Sequence, residues 1–137
     1  MFHMTLIEEA QRKYQHILWR FFQDQPIKVY ALNTITYGMA SSPYLAIRVL
    51  HQLADDEAEK YPLASKVLKR RFFVDDLLWS VGTYEEAAQL QDELINLLKG
   101  GGFILRKWAS SCPQLLERVP ADHRETPVHS RMKMTLA

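Results

Sequence analysis

Two adjacent aspartates, Asp75 and Asp76, sit inside an otherwise apolar run. Phe72-Phe73-Val74 leads in and Leu77-Leu78-Trp79 leads out. Neighbouring carboxylates repel each other, and apolar flanks gain nothing by holding them there. A tight turn aiming both acids at one point suits a cation at that point. Hard divalent ions take oxygen ligands and often share them with substrate phosphates. The hairpin therefore points to metal-dependent chemistry on phosphates. A plain surface turn uses the same residues, because Asp is a common turn former. On the hairpin alone both readings stand.

The chain has 137 residues, which fits one domain. With 47% hydrophobic and 11% aromatic residues it can build a core and does not read as disordered. Its 17 basic and 16 acidic residues give a net charge of +1, so any nucleic-acid site must come from local clustering. The single Cys112 excludes an intrachain disulfide framework and suits a reducing compartment. No apolar run approaches the ~20 residues of a membrane span. Glu8, Glu9, Arg12 and Lys13 interrupt the opening apolar stretch, unlike a secretory leader. The expectation is an intracellular, cytoplasmic chain. Both ends look abrupt, as in a piece of something longer.

Residues 2–6 predict a short strand, and Glu8 to Tyr14 a polar helix of about two turns. Gln15 to Phe22 and Ile27 to Asn33 predict the two strands of a hairpin, turned at Gln23-Asp24-Gln25-Pro26. Ser41 or Ser42 can cap the next helix, with Pro43 at its first position and Ala46, Val49, Leu50 and Leu53 on one stripe. Asp55, Asp56, Glu57 and Glu59 close it as an acidic, solvated end. Pro62 to Leu68 predicts a short helix. Lys66, Lys69, Arg70 and Arg71 form the one dense basic cluster. The acidic hairpin follows, with strands near 71–74 and 77–81. Thr83 and Glu86 make a capping box for a helix whose apolar face is Ala87, Leu90, Leu94, Leu97 and Leu98. Gly100 to Gly102 ends it. Phe103 to Leu105 predicts a strand and Ser111 to Glu117 a short helix. Pro120 to Ala137 shows no helical or strand period. The order predicts α+β: an antiparallel sheet with helices on one face. Five histidines show no zinc spacing, and Cys112 has no nucleophile context. No Gly-x-Ser-x-Gly elbow and no phosphate loop ending in Lys-Ser or Lys-Thr occurs.

Three blocks line up in order. They are Phe2-His3-Met4-Thr5-Leu6 with Glu8-Glu9 and Arg12-Lys13-Tyr14; Tyr37-Gly38-Met39-Ala40-Ser41-Ser42-Pro43; and Phe73-Val74-Asp75-Asp76. Together they resemble the palm of retroelement reverse transcriptases, closest to the BEL/Pao class of LTR retrotransposons. Thr36 to Leu45 matches that class's Thr-Tyr-Gly…Ser-x-Pro-Tyr-Leu block. Phe72 to Leu78 matches its Phe-Tyr-Val-Asp-Asp-Leu-Leu block, with Phe73 for the usual Tyr. Gly101 to Ser110 matches its Gly-Gly-Phe-x-Leu-Arg-Lys-Trp-Ala-Ser block. The resemblance covers residues 1–120 as a partial palm. Residues 121–137 are then an irregular tail or the start of a connection to a thumb.

The resemblance implies nucleotidyl transfer from a deoxynucleoside triphosphate to a primer 3′ oxygen, with two metal ions, Mg2+ or Mn2+. It makes Asp75 the firmer metal ligand and catalytic carboxylate, with Asp76 its supporting partner. It places Phe2 beside the nucleotide sugar, where a bulky ring favours deoxynucleotides; a core Phe is an equal alternative. Tyr37, Gly38, Ser42 and Pro43 fall in the nucleotide-binding bend, with Tyr37 where retroviral relatives carry Gln. Phe73 and Val74 lie at the primer end, and Lys107 near a basic residue that protonates pyrophosphate. Implied partners are template-primer nucleic acid (RNA or DNA) and the triphosphate, with protease, RNase H and integrase modules in an intact element and no membrane. The third family carboxylate belongs about five residues before the aromatic that matches Phe2. That places it upstream of Met1, so the 137 residues are expected to be inactive alone. A non-catalytic remnant of such an element and an unrelated α+β domain with an acidic turn remain open. Aromatic and basic residues also adjoin at Trp19-Arg20, Arg70-Arg71-Phe72 and Arg106-Lys107-Trp108, a mixture suited to nucleic acid; Trp19 and Trp108 are expected in the core.

Overall fold

A computed structural model describes residues 2–73, 76–125 and 132–136. The chain is mixed helix and strand, with small antiparallel sheets. It divides into two compact units, 2–46 and 47–137.

The first unit opens with a 3-10 turn, Phe2–Met4, where the sequence predicts a strand. Only Leu6 of that stretch bridges a partner, Thr34. Helix α1 (Glu9–Arg12) is one turn rather than two. It buries no residue and has no side-chain cap, and short helices without tertiary packing do not propagate. Strands β1 (His16–Trp19) and β2 (Lys28–Ala31) form the expected hairpin, shorter than its apolar pattern. Its register pairs are His16 with Ala31, Ile17 with Tyr30, Leu18 with Val29 and Trp19 with Lys28.

Helix α2 (Ser42–Asp56) begins in the first unit and runs on into the second. Ala46, Leu50 and Ala54 are buried along it. In the second unit, helix α3 (Pro62–Arg71) runs one turn further than predicted and lies against helix α4 (Tyr84–Gly100). The tie between them is a carboxylate. Glu93 of α4 accepts from the backbone N–H groups of Leu63 (2.9 Å) and Ala64 (3.0 Å). Those donors have no partner within α3, whose own cap residue Tyr61 makes no side-chain capping bond. The Ser65 hydroxyl donates to Ala54 O of α2, and Lys69 pairs with Asp55. This pair gives the acidic end of α2 a partner that exposure alone does not supply. The Lys69 hydrogen bond holds the Asp55 carboxyl below its ordinary 3.8. Its contribution to stability is therefore complete above that value and lost as pH falls through the lower folded one.

Thr83 caps α4 by accepting from Glu86 N at 3.3 Å. The Glu86 carboxylate completes the box one residue early, accepting from Gly82 N rather than Thr83 N. At the other end Phe103 N donates to Leu98 O (2.8 Å) and Gly102 N to Lys99 O (3.0 Å). With Gly102 at φ +79 this is a Schellman closure, and only glycine adopts that conformation at no cost.

A four-stranded antiparallel sheet completes the second unit. It comprises β3 (Phe72–Phe73), β4 (Asp76–Trp79), β5 (Leu105–Ala109) and β6 (Met132–Leu136), in the order β3-β4-β6-β5. Strand β5 starts where the predicted strand ends. Strand β6 lies in the segment expected to be irregular, and it sits between β4 and β5. Helix α3 packs against β4. Helix α5 (Pro113–Glu117) is tied to α4 by Gln91, whose Nε2 donates to Leu115 O at 3.0 Å. Among the described residues no helix is long and apolar enough to cross a membrane.

Removing the Glu93 carboxylate strands two amides at the start of α3. Glu93→Ala should lower unfolding free energy by about 1–2 kcal/mol in urea titrations. Glu93→Gln, which keeps an acceptor oxygen, should lose less.

Candidate functional site

In β4, side chains alternate between two faces. Leu77 is fully buried, whereas Leu78 is 45% exposed and Asp76 half-buried. Asp76 and Leu78 therefore share the open face of the sheet, and Leu77 turns to the face that carries α3. Asp76 is thus a strand residue, not a turn residue. It pairs with Phe73 across β3 and with Thr135 across β6. The strands β3 and β4 are joined across positions 74 and 75. Val74 and Asp75, the primer contact and the firmer metal ligand of the sequence reading, lie outside the described residues.

The sheet brings one basic residue into the same row. Arg106 of β5 also pairs with Thr135. Directly opposed residues share a face, so Arg106 and Asp76 lie on the open face two strand spacings apart, about 10 Å between backbones. Arg106 is exposed. Nothing in the sequence separation, 30 positions, signals this alignment; it arises from β6.

Lys107 sits at an irregular point of the sheet. Between the pairs Arg106–Thr135 and Ala109–Lys133, β5 advances by three residues while β6 advances by two. The extra residue is a bulge, and Lys107 adopts φ 55, the left-handed region. The bulge has a packing cause. Leu105 and Trp108 are three apart and would face opposite ways in a regular strand, yet both are buried. One inserted residue returns Trp108 to the core face and leaves Lys107 exposed. The Trp108 indole N–H then donates to Leu105 O at 3.3 Å.

The dense basic cluster at the end of α3 is partly engaged. Lys69 is paired with Asp55, and the Arg71 guanidinium lies 5.2 Å from the Trp79 ring centroid. Three basic residues in the last turn also offset the negative end of the helix dipole.

The nucleotide-binding candidates of the sequence lie in the first unit. Gly38 has φ +87, and the space where a Cβ would project is open. Tyr37 is exposed and meets the His3 ring edge-on, centroids 5.2 Å apart. Ser42 is buried and donates its hydroxyl to Thr36 O at 2.5 Å, closing the 36–42 loop against the start of α2. Pro43 follows in the first turn of α2 and is exposed. The backbone of Phe2 belongs to the opening 3-10 turn rather than to a strand.

Of the two tryptophans expected in the core, Trp108 is buried and Trp19 is 53% exposed. Tertiary cover decides this. Trp108 has β6 and the 3-10 turn Ala121–His123 beside its strand, whereas β1 pairs with β2 alone.

Asp75 and Asp76 offer hard oxygen donors, which fit a magnesium or manganese ion. Among the described residues no three His, Cys, Asp or Glu side chains gather in one place. No family model matches the chain, and comparison with characterised proteins and with solved structures returns no match.

The left-handed Lys107 carries a conformational cost that glycine avoids. Lys107→Gly should leave stability unchanged or raise it by up to about 1 kcal/mol in thermal unfolding. Lys107→Val should lower it by about 1 kcal/mol or more.

Proposed function

We propose that the chain is part of the palm of an RNA-directed DNA polymerase of the retroelement type, acting on template-primer nucleic acid and deoxynucleoside triphosphates. The observation that carries this reading is the placement of Asp76. It begins a short strand of an antiparallel sheet, on the face opposite the buried Leu77, and helix α3 packs against that strand. The backbone of Asp76 is held by pairing on both sides, and its side chain projects from the face on which Leu78 and Arg106 are exposed. The ordered motif blocks supply the rest.

In this reading Asp75 and Asp76 hold the divalent ions. When bound, those ions supply positive charge to the attacking and leaving oxygens of phosphoryl transfer. Leu77 anchors the strand and so fixes the side from which Asp76 projects. Arg106 adds positive charge to the same face, where a polyanionic ligand would run. Gly38 gives the loop before α2 a backbone that no side chain crowds. Lys107, exposed on its bulge, contacts the ligand as a cation.

The 137 residues carry two of the three carboxylates that the resemblance calls for. A second reading is a non-catalytic remnant of such an element with weak or no affinity for nucleic acid.

Manganese titration followed by electron paramagnetic resonance tests the metal reading. The wild type should bind Mn2+. Asp75→Asn should weaken that binding by more than the roughly ten- to hundredfold typical of losing an outer-layer partner. Absence of binding, together with a gain in thermal stability in Asp75→Asn, would identify a plain acidic turn instead. Primer extension by the 137 residues alone should yield no templated product with either ion; templated synthesis would show that two carboxylates suffice.

A further inference from the structure

The β1–β2 hairpin leaves apolar area uncovered that a two-stranded element cannot afford alone. Leu18, Val29, Phe21 and Phe22 are each more than 60% exposed, and every residue of β1 is exposed. An isolated two-stranded hairpin is marginal in water at best. The two faces differ in chemistry. Register places His16, Leu18, Val29 and Ala31 on one side and Ile17, Trp19, Lys28 and Tyr30 on the other. Phe21 joins the second face. Its ring meets Trp19 at 6.3 Å and 84° and Tyr30 at 6.4 Å and 86°. Trp19 and Tyr30 both stand edge-on to Phe21, so each ring fixes its neighbour's orientation before any ligand arrives. Lys28 stands directly opposite Trp19. Arg20 follows Trp19 in sequence and donates from Nη1 to Gln23 O at 2.9 Å, at the hairpin tip.

We infer that this face is a stacking platform for unpaired bases of single-stranded nucleic acid, with Lys28 meeting the phosphates. Aromatic faces interleaved with cations are what a flexible polyanion carrying flat bases requires. Charge and shape disfavour the other occupants. A second copy laid on this face buries Lys28 with only Asp24 in the hairpin to pair it. A membrane would have to admit the tip, and the tip is Gln23-Asp24-Gln25, exposed and polar. The platform goes beyond the polymerase reading, because it uses neither Asp75 nor Asp76 and concerns single strands rather than a paired primer.

Fluorescence anisotropy with labelled oligo(dT) of twenty nucleotides and the full 137-residue chain tests the platform. The wild type should bind the single strand more tightly than a duplex of equal length. Trp19→Ala and Phe21→Ala should each weaken binding by about tenfold. Trp19→Phe, which keeps a ring, should retain most of it. Leu18→Ala, on the opposite face, should leave it unchanged, with circular dichroism confirming that all variants are folded. Lys28→Ala should flatten the salt dependence by about one charge. Binding that Trp19→Ala leaves intact would overturn the platform. So would capture of phosphatidylserine vesicles without oligonucleotide binding, or a dimer that Trp19→Ala dissociates while oligonucleotide affinity is kept. If oligo(dT) fails to bind while Asp75→Asn still abolishes Mn2+ binding, the platform falls and the polymerase reading stands. The reverse pattern rejects the metal site and keeps the platform.

Discussion

Burial of Leu77 is the constraint on which the candidate metal face depends. A strand side chain turns over with each step along the chain, so a one-residue slip would send Asp76 into the helix-covered core and Leu77 to solvent. Burying an unpaired carboxylate costs far more than exposing a leucine. The register is held on both sides, by Phe72 opposite Leu77 and by four consecutive pairs between β4 and β6. The position of the acid is thus set by the packing of its neighbour.

Strand β6 does more than hold register. Without it, β4 and β5 would not belong to one sheet, and Arg106 would not share a row with Asp76. The bulge at Lys107 follows from the same arrangement. Strand β5 must keep Leu105 and Trp108 in the core while pairing with β6 on either side of them. The left-handed lysine accommodates that demand. Burial of a tryptophan is worth several times the cost of one such residue.

Local signals were legible where they were decisive. Thr83, the triple glycine and the apolar stripe of α4 bracket that helix closely, and Pro43 and Pro62 mark the starts of α2 and α3. The paired acids and their apolar flanks marked the β3–β4 hairpin. Elements that depend on distant partners were not legible in the same way. The opening Phe2-His3-Met4 is apolar enough for a strand but forms a 3-10 turn, with only Leu6 of that stretch bridging. Conversely, the segment expected to be irregular holds β6, whose five residues Met132-Lys133-Met134-Thr135-Leu136 do alternate apolar and polar, a signal too short to stand out over Pro120 to Ala137. Of the site, residue types were readable and positions only partly so. Asp76 belongs to a strand rather than a turn, and the conformation of Lys107 leaves no trace in its type.

The same contrast bears on where nucleic acid would bind. Clustering along the sequence favours Lys66, Lys69, Arg70 and Arg71, the densest run of positive charge. Folding engages two of these internally, one with Asp55 and one over Trp79. Lys28 of the β1–β2 hairpin instead shares a face with three exposed or half-exposed rings. Coulomb attraction between solvated charges is screened within about 10 Å at moderate salt, so density alone confers little affinity. Cations beside flat apolar faces act together with stacking, which salt does not screen. A near-neutral chain can therefore hold a polyanion through placement, and β-pairing of Trp19 with Lys28 supplies that placement.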